Sequence, residues 1–358
     1  MKTTLYVRED PALLGNAIFS GDPLYGMKSD MYMFIDLRQQ LAARGVELST
    51  QDVLPVEQAD TVLVLDQVMN FQNYQPLPGQ RVHLILAEPR TYYPLNFHAE
   101  HHRAFNKVFT YDYTRVDNQK YFHYRFPIDF ASYPPFQAVS EDEFNRRKLC
   151  SLVASSFAVA KPPVGSGSLL HERYSTLQWF SKYHAQELDF FSRGVNPEAY
   201  MSFRGAGLLK KVLPGGLMQW IGAQRRKVFD RVHRGSIPPE RKIDQLRDYR
   251  FSIAYENTGD TPGYITEKIF DCFAAAVVPV YLGAPHVTNF IPADCFIDRR
   301  NFASHEELYR FMKAMTYAEY SQYIGAIGRF LQGPEQPKFN SATIADSIVR
   351  VLLADTPS

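Results

Sequence analysis

The chain has 358 residues, 45% hydrophobic and 22% charged, without a low-complexity tract; this excludes a disordered protein and favours two domains over one. Lys and Arg number 39 against 38 Asp and Glu, a net charge of +1, so no global basic field points to nucleic acid. The three cysteines, Cys150, Cys272 and Cys295, are too few and scattered for a disulfide framework or a zinc site, and no apolar run reaches the ~20 residues of a membrane span.

The first residues, Met1 to Val7, soon meet Arg8, Glu9 and Asp10 and lack the apolar core of a signal peptide. Together with the cysteine usage this gives an expectation of a cytoplasmic protein. Three apolar runs then read as buried strands: Thr61 to Leu65, Val82 to Leu86 and Lys107 to Tyr111. Before them, Met33, Ile35, Leu37 and Leu41 recur at helical spacing, and Gly45 is placed to stop that helix. Such alternation argues for a parallel sheet in an α/β unit.

Prolines cluster from Phe126-Pro127 to Pro134-Pro135, and the charged stretch Glu141 to Lys148 follows. A second series of strands begins there: Leu149 to Ala154, Leu188 to Phe191, Phe251 to Tyr255 and Val277 to Leu282. Helical patterns cover Leu169 to Tyr183, Tyr264 to Ala276, Glu306 to Met315 and Tyr317 to Phe330. The expected organisation is an N-terminal domain over 1–140, a C-terminal domain over 141–335, and a last helix within 336–358 packing back on the first domain. Two α/β sandwiches in series leave a cleft between them as the default ligand site.

One segment breaks the alternation. Residues 201–234 carry Arg204, Lys210, Lys211, Arg225, Arg226, Lys227, Arg231 and Arg234 against the single acid Asp230, with Leu208, Leu213, Trp220 and Ile221 interleaved. Such an insertion is either a solvated helix or a peripheral contact with an anionic membrane.

The richest chemistry lies in Tyr255-Glu256-Asn257-Thr258-Gly259-Asp260-Thr261-Pro262-Gly263-Tyr264-Ile265-Thr266-Glu267-Lys268. It reads as a strand end, a loop and the first turn of an amphipathic helix, on which Ile269, Cys272, Phe273 and Ala276 form the apolar face. Ligands of open parallel sheets bind at such strand ends, and helix N-termini attract anions. Lys268 in a first turn runs against the helix dipole unless an anion or Glu267 offsets it. The local reading is a phosphate or sugar-phosphate site, with a surface ion pair as its rival.

These residues resemble glycosyltransferase family 10, the α1,3/α1,4-fucosyltransferases. Four spaced motifs carry the resemblance: Phe251 to Asn257, Tyr264 to Ile269, Val278 to Pro285, and Ile291-Pro292 with Cys295-Phe296-Ile297. Tyr255 stands where the family motif has Phe. The resemblance implies a GT-B fold of two Rossmann-like α/β domains facing each other across a cleft, the first for the acceptor and the second for a GDP-sugar. It also implies inverting transfer of fucose from GDP-fucose to an oligosaccharide or lipid-linked glycan, without an essential metal or other cofactor. By the same resemblance Lys268 meets the diphosphate, Glu267 stabilises the oxocarbenium charge of the transferred sugar, and Asn257 and Tyr264 contact the donor.

Upstream similarity is weaker. Leu149 to Ser156 resembles the strand that opens the family's donor domain, and Arg173 on the next helix is the candidate diphosphate clamp, with pairing to Glu172 or Glu187 as the alternative. Leu84-Ile85-Leu86-Ala87-Glu88-Pro89 is an apolar strand ending in one carboxylate, and by the resemblance Glu88 is the candidate general base, with His98, His101 and His102 as local competitors. Arg234, Lys242 and Arg250 are possible further donor contacts by position. His98, His101 and His102, with Glu100, have spacing compatible with a metal, but no second ligand pair accompanies them, so a polar loop is expected. Cys272 and Cys295 read as core thiols. Two function classes stay open: an active transferase using GDP-fucose or another GDP-sugar, and an inactive glycan-binding relative. Family habit adds bacterial surface-polysaccharide synthesis, such as lipopolysaccharide O-antigen, as the expected setting.

Overall fold

A computed structural model describes residues 1–21, 29–154, 167–193, 216–217, 220 and 229–354. Within the basic segment, Arg204, Lys210, Lys211, Arg225, Arg226 and Lys227 lie outside the described residues.

The first sheet is built from β1 (Lys2–Tyr6), β2 (Glu47–Thr50), β3 (Thr61–Leu65), β4 (Arg81–Ile85), β5 (Lys107–Thr110) and β6 (Tyr121–His123), with α1 (Ser29–Ala42) joining β1 to β2. All neighbours are parallel and the order is 2-1-3-4-5-6. β3 and β4 are covered on both faces, as central parallel strands require, and β4 buries His83 among its apolar residues. On α1, Met33, Phe34, Leu37 and Leu41 are buried, and Gly45 follows in the left-handed region.

The sequence reading missed β1 and β2 as strands. Their Thr3, Thr4, Ser49 and Thr50 are polar, yet all are buried, because the sheet and not local hydrophobicity decides their place. A second difference is that β3–β4, β4–β5 and β5–β6 are connected by short 3-10 turns and not by α-helices. The first two connections contain Pro76, Pro78, Pro89 and Pro94, which lack the N–H that a helix interior needs.

The second unit contains α2 (Glu141–Arg146), β7 (Lys148–Val153), α3 (Leu170–Tyr183), β8 (Leu188–Phe191), α4 (Lys242–Leu246), β9 (Tyr249–Tyr255), α5 (Glu267–Ala274), β10 (Val278–Leu282) and β11 (Ile297–Asp298). Its sheet is also parallel, in the order 11-10-9-7-8. The chain therefore reverses its winding between β7 and β9, and the strand ends there form a topological switch point. Two helices, α6 (His305–Ala314) and α7 (Tyr317–Gln332), follow, and α8 (Ser341–Leu353) returns to pack on α1. Ile344, Ala345, Ile348 and Val349 of α8 are buried in the core of the first unit.

Ile128 and Val139 belong to the second core, so the chain joins that unit before residue 140. The two crossings between the units lie side by side: Ile128 N donates to Phe339 O at 2.8 Å, and Ser341 N donates to Ile128 O at 3.0 Å. No helix among the described residues is long and apolar enough to cross a membrane.

Candidate active site

At the end of β9 stands Glu256, fully buried and with both oxygens in use. Oε1 accepts from the Thr266 amide and Oε2 from the Thr266 hydroxyl, each at 2.7 Å. Thr266 is the N-cap of α5, so the carboxylate fastens the start of that helix to the strand that precedes it. The helix begins at Glu267 and not at Tyr264, which the sequence pattern had included. Glu256 can sit there only because Gly283 passes it closely; a β-carbon on Gly283 would lie 2.5 Å from Glu256 Cγ and 2.4 Å from the Tyr281 hydroxyl.

Lys268 completes the cluster. Its Nζ lies 3.1 Å from Glu256 Oε2, 2.9 Å from Thr266 Oγ1 and 3.6 Å from Glu267 Oε1. Its ammonium opposes the dipole of α5, and the structure supplies two carboxylates to offset that. Burial works to lower the Lys268 value, but Glu256 and Glu267 outweigh it and hold the ammonium above its ordinary range. Burial likewise works to raise Glu267, while Lys268 and Lys242 outweigh it and keep the carboxylate ionised. The sequence reading gave Glu256 no part. The signal was present in the motif, since a Lys in a first turn asks for an acid nearby.

Arg173 on α3 faces the same strand end and is 6% exposed. Its Nε donates to Tyr255 O at 3.1 Å, and its Nη2 bonds both that oxygen and, at 2.9 Å, Asn257 Oδ1. It pairs with neither Glu172 nor Glu187, which are engaged with His171 and Lys313. Two of its nitrogens thus hold the β9 terminus and orient Asn257. Nη1 makes no hydrogen bond among the described residues. Lys242 pairs with Asp271, which also accepts from the Tyr133 hydroxyl at 2.7 Å. Arg234 binds Asp189 at 2.7 Å and Arg250 Nε donates to Phe144 O at 2.8 Å, so all three of these cations are tied inside the unit.

The first unit presents Glu88 just beyond β4. Its side chain is open to solvent, but the cleft walls crowd it, and that desolvation raises its carboxyl above the ordinary Glu value. Lys268 and Arg8 act against the rise and Glu267 adds to it, so the strand end of one unit and the helix start of the other face each other within electrostatic reach. Tyr264, expected on the donor, is 3% exposed and packs on Tyr111 with ring centroids 5.0 Å apart. Gly263 beside it adopts φ 79°, and a β-carbon there would fall 2.2 Å from Tyr111 O. This seam fixes the cleft floor.

The histidines divide. His102 is buried, its ring nitrogens facing Asn96 O and the Tyr121 hydroxyl. His98, Glu100 and His101 lie on the exposed turn with their ligand atoms within 4.8 Å of one another. All three cysteines are buried and free.

A buried ion cluster at the switch point of one α/β unit, opposed by a carboxylate from the other, can hold a charged donor in the cleft and deprotonate a hydroxyl. Residues 224–325 match the family model described as Glycosyltransferase family 10 (fucosyltransferase) C-term. The resemblance read from the motifs is confirmed over that segment. Alpha-(1,4)-fucosyltransferase of Arabidopsis thaliana is 35% identical over 92 residues, 24% of this chain and 23% of that protein. Alpha-(1,3)-fucosyltransferase 7 of Homo sapiens is 33% identical over 102 residues, 28% of this chain and 30% of that protein. The chain thus spans less than a third of the length of these relatives. Over the whole chain, the crystal structure of an alpha1,3-fucosyltransferase with GDP-fucose superposes with a TM-score of 0.53 at 15% identity, covering 100% of this chain and 91% of that one. An alpha-glucosyltransferase with UDP-glucose and DNA superposes with 0.55 at 9% identity, covering 99% of each chain. The fold is GT-B.

Proposed function

We propose that the protein is an inverting glycosyltransferase that moves L-fucose from GDP-fucose to a hydroxyl of an acceptor glycan. The observation that carries the reading is that Tyr111, whose hydroxyl donates to Glu88 O, packs on Tyr264 just before Glu267 and Lys268, which brings Glu88 within electrostatic reach of that pair. In this mechanism the donor diphosphate sits at the start of α5, where Lys268 and the positive end of the helix dipole meet its charge. Asn257, oriented by Arg173, adds a polar contact at the same strand end, and Arg173 Nη1 is the one guanidinium nitrogen left to reach an anion. As the bond to GDP breaks, positive charge grows on the sugar, and the ionised Glu267 lies where it can stabilise that charge. Glu88 takes the proton of the attacking hydroxyl on the opposite face. Lys268 supplies the cationic charge at the leaving diphosphate, so the mechanism calls for no metal.

The acceptor in this reading is an oligosaccharide or lipid-linked glycan with an α1,3 or α1,4 linkage site on GlcNAc or Glc, glycosylated at the cytoplasmic face of a membrane during surface-polysaccharide synthesis. Support comes from the names of the relatives, α1,3- and α1,4-fucosyltransferases. The test is GDP release from GDP-fucose, GDP-mannose and UDP-glucose with a panel of GlcNAc- and Glc-containing acceptors. Release from GDP-fucose that depends on acceptor, with an α-linked product by NMR, is expected. Equal release from UDP-glucose, or no release with any acceptor, contradicts the reading.

A further inference from the structure

Behind Glu88 lies a second carboxylate. Asp66 directly follows β3, is 5% exposed, and has its backbone in the left-handed region at φ 56°. A non-glycine residue in that region persists where the surroundings hold it, and such positions cluster at functional sites. The surroundings here are specific. Asp66 Oδ2 accepts from the Glu88 amide at 3.0 Å, and Oδ1 accepts from the Ala87 amide at 3.0 Å and from Asn96 Nδ2 at 3.1 Å.

Two tyrosines from the strands on the other side close the cradle. The Tyr124 hydroxyl donates to Leu86 O at 2.8 Å and the Tyr111 hydroxyl to Glu88 O at 2.9 Å. Three side chains from the ends of β3, β5 and β6 therefore fix the backbone from Leu86 to Glu88. Asn96 is itself anchored, since its carbonyl lies 2.7 Å from the buried ring of His102.

We propose that Asp66 is a positioning residue for the base: its buried carboxylate clamps the amides of Ala87 and Glu88 and so fixes where the Glu88 carboxylate stands in the cleft. This rests on the reading of Glu88 as the base. Asparagine has one acceptor oxygen where aspartate has two, so Asp66→Asn must leave one of the two amides facing an NH2 group. A base held loosely by about 1 Å loses on the order of 100-fold in rate. The groups that face Glu88 are Arg8 beyond β1, Glu267 and Lys268 from α5, the hydroxyls of Tyr264 and Tyr111, and Asp66 beneath. Burial holds the Asp66 carboxyl well above its ordinary value, and the Glu88 charge adds to that rise.

The experiment is a double-mutant cycle on the full chain with Asp66→Asn, Glu88→Gln and the double variant, reading kcat, KM, GDP affinity and the pH profile. Asp66→Asn is expected to lower kcat by on the order of 100-fold with KM and GDP affinity unchanged. In the Glu88→Gln background it should cost nothing more, because a residue that acts through another is silent once that one is gone. An equal loss in both backgrounds, or wild-type turnover in Asp66→Asn, overturns the proposal while the base assignment stands. Near-native turnover of Glu88→Gln alone removes the base assignment instead, and the proposal with it. Should Asp66→Asn fail to fold, Tyr111→Phe removes only the donor to Glu88 O; the same silence in the Glu88→Gln background is expected, and an equal loss there overturns the cradle.

Discussion

Lys268 Nζ and Glu256 Oε2 lie 3.1 Å apart, and the Glu256 carboxylate has no exposed surface. The pair links the end of β9 to the first turn of α5, which makes its geometry a condition for the proposed donor site. Removing Glu256 leaves Lys268 with Glu267 as its one carboxylate partner among the described residues and takes the acceptor from the Thr266 amide and hydroxyl. Glu256→Ala should therefore destabilise the fold by about 3–5 kcal/mol and weaken GDP binding. Denaturant unfolding with GDP titration checks both, and an unchanged midpoint would show that the pair is dispensable.

Glu267 and Lys268 are adjacent but should fail differently. In the proposed mechanism the charge that Glu267 meets exists mainly in the transition state, so Glu267→Ala should lower kcat more than GDP affinity. Lys268→Ala should lower GDP affinity directly. Titration calorimetry beside single-turnover kinetics separates the two, and identical profiles would merge their roles.

The seam between the units depends on a missing side chain. Gly263 has φ 79°, and its α-carbon hydrogens face Tyr111 O where a β-carbon would approach to 2.2 Å. Gly263→Ala combines a strained backbone with a clash against main chain. A loss of at least about 2 kcal/mol is expected by thermal or urea unfolding. Gly45→Ala, where nothing lies within 4 Å, carries the backbone strain alone and should cost less.

Asp189 offers a pH test away from the cleft. It accepts from Lys148 and the Tyr249 hydroxyl, each at 2.8 Å, and from Arg234 at 2.7 Å. Burial works to raise its carboxyl, but those partners outweigh it and hold it below the ordinary Asp value. A depressed carboxyl stabilises the fold above its unfolded pKa, and the contribution fades as pH falls through the folded value. Asp189→Asn should thus cost about 1–2 kcal/mol at neutral pH, moderated because Lys148 and Arg234 reach it from solvent, and almost nothing in strong acid. A pH-independent difference would contradict the ionic account.

What could be read from the sequence followed the range of the interactions. The β9–loop–α5 stretch was legible because strand, turn residues, helix and charged first turn are contiguous, and Glu267 and Lys268 came with it. Glu88 was legible as a lone acid at the end of an apolar run. The grip of Arg173 on Tyr255 and Asn257 spans more than 80 residues, and that of Asp66 on Glu88 joins two strand ends 22 residues apart. No periodicity encodes which side chain turns toward which backbone. The buried threonines of β1 and the return of α8 to α1 were set by the sheet and by chain reversal, beyond what a local window holds.

The central claim is that Glu88 removes the proton of the acceptor hydroxyl. Its carboxyl is raised by desolvation, so kcat/KM should climb with pH along an acid limb above the usual Glu range, and Glu88→Gln should abolish that limb. The direct measurement is kcat of Glu88→Gln with GDP-fucose and a productive acceptor, alongside its GDP affinity. The account predicts a loss of ~10²–10⁴-fold in kcat with GDP affinity retained. Near-native turnover with the acid limb intact would contradict it.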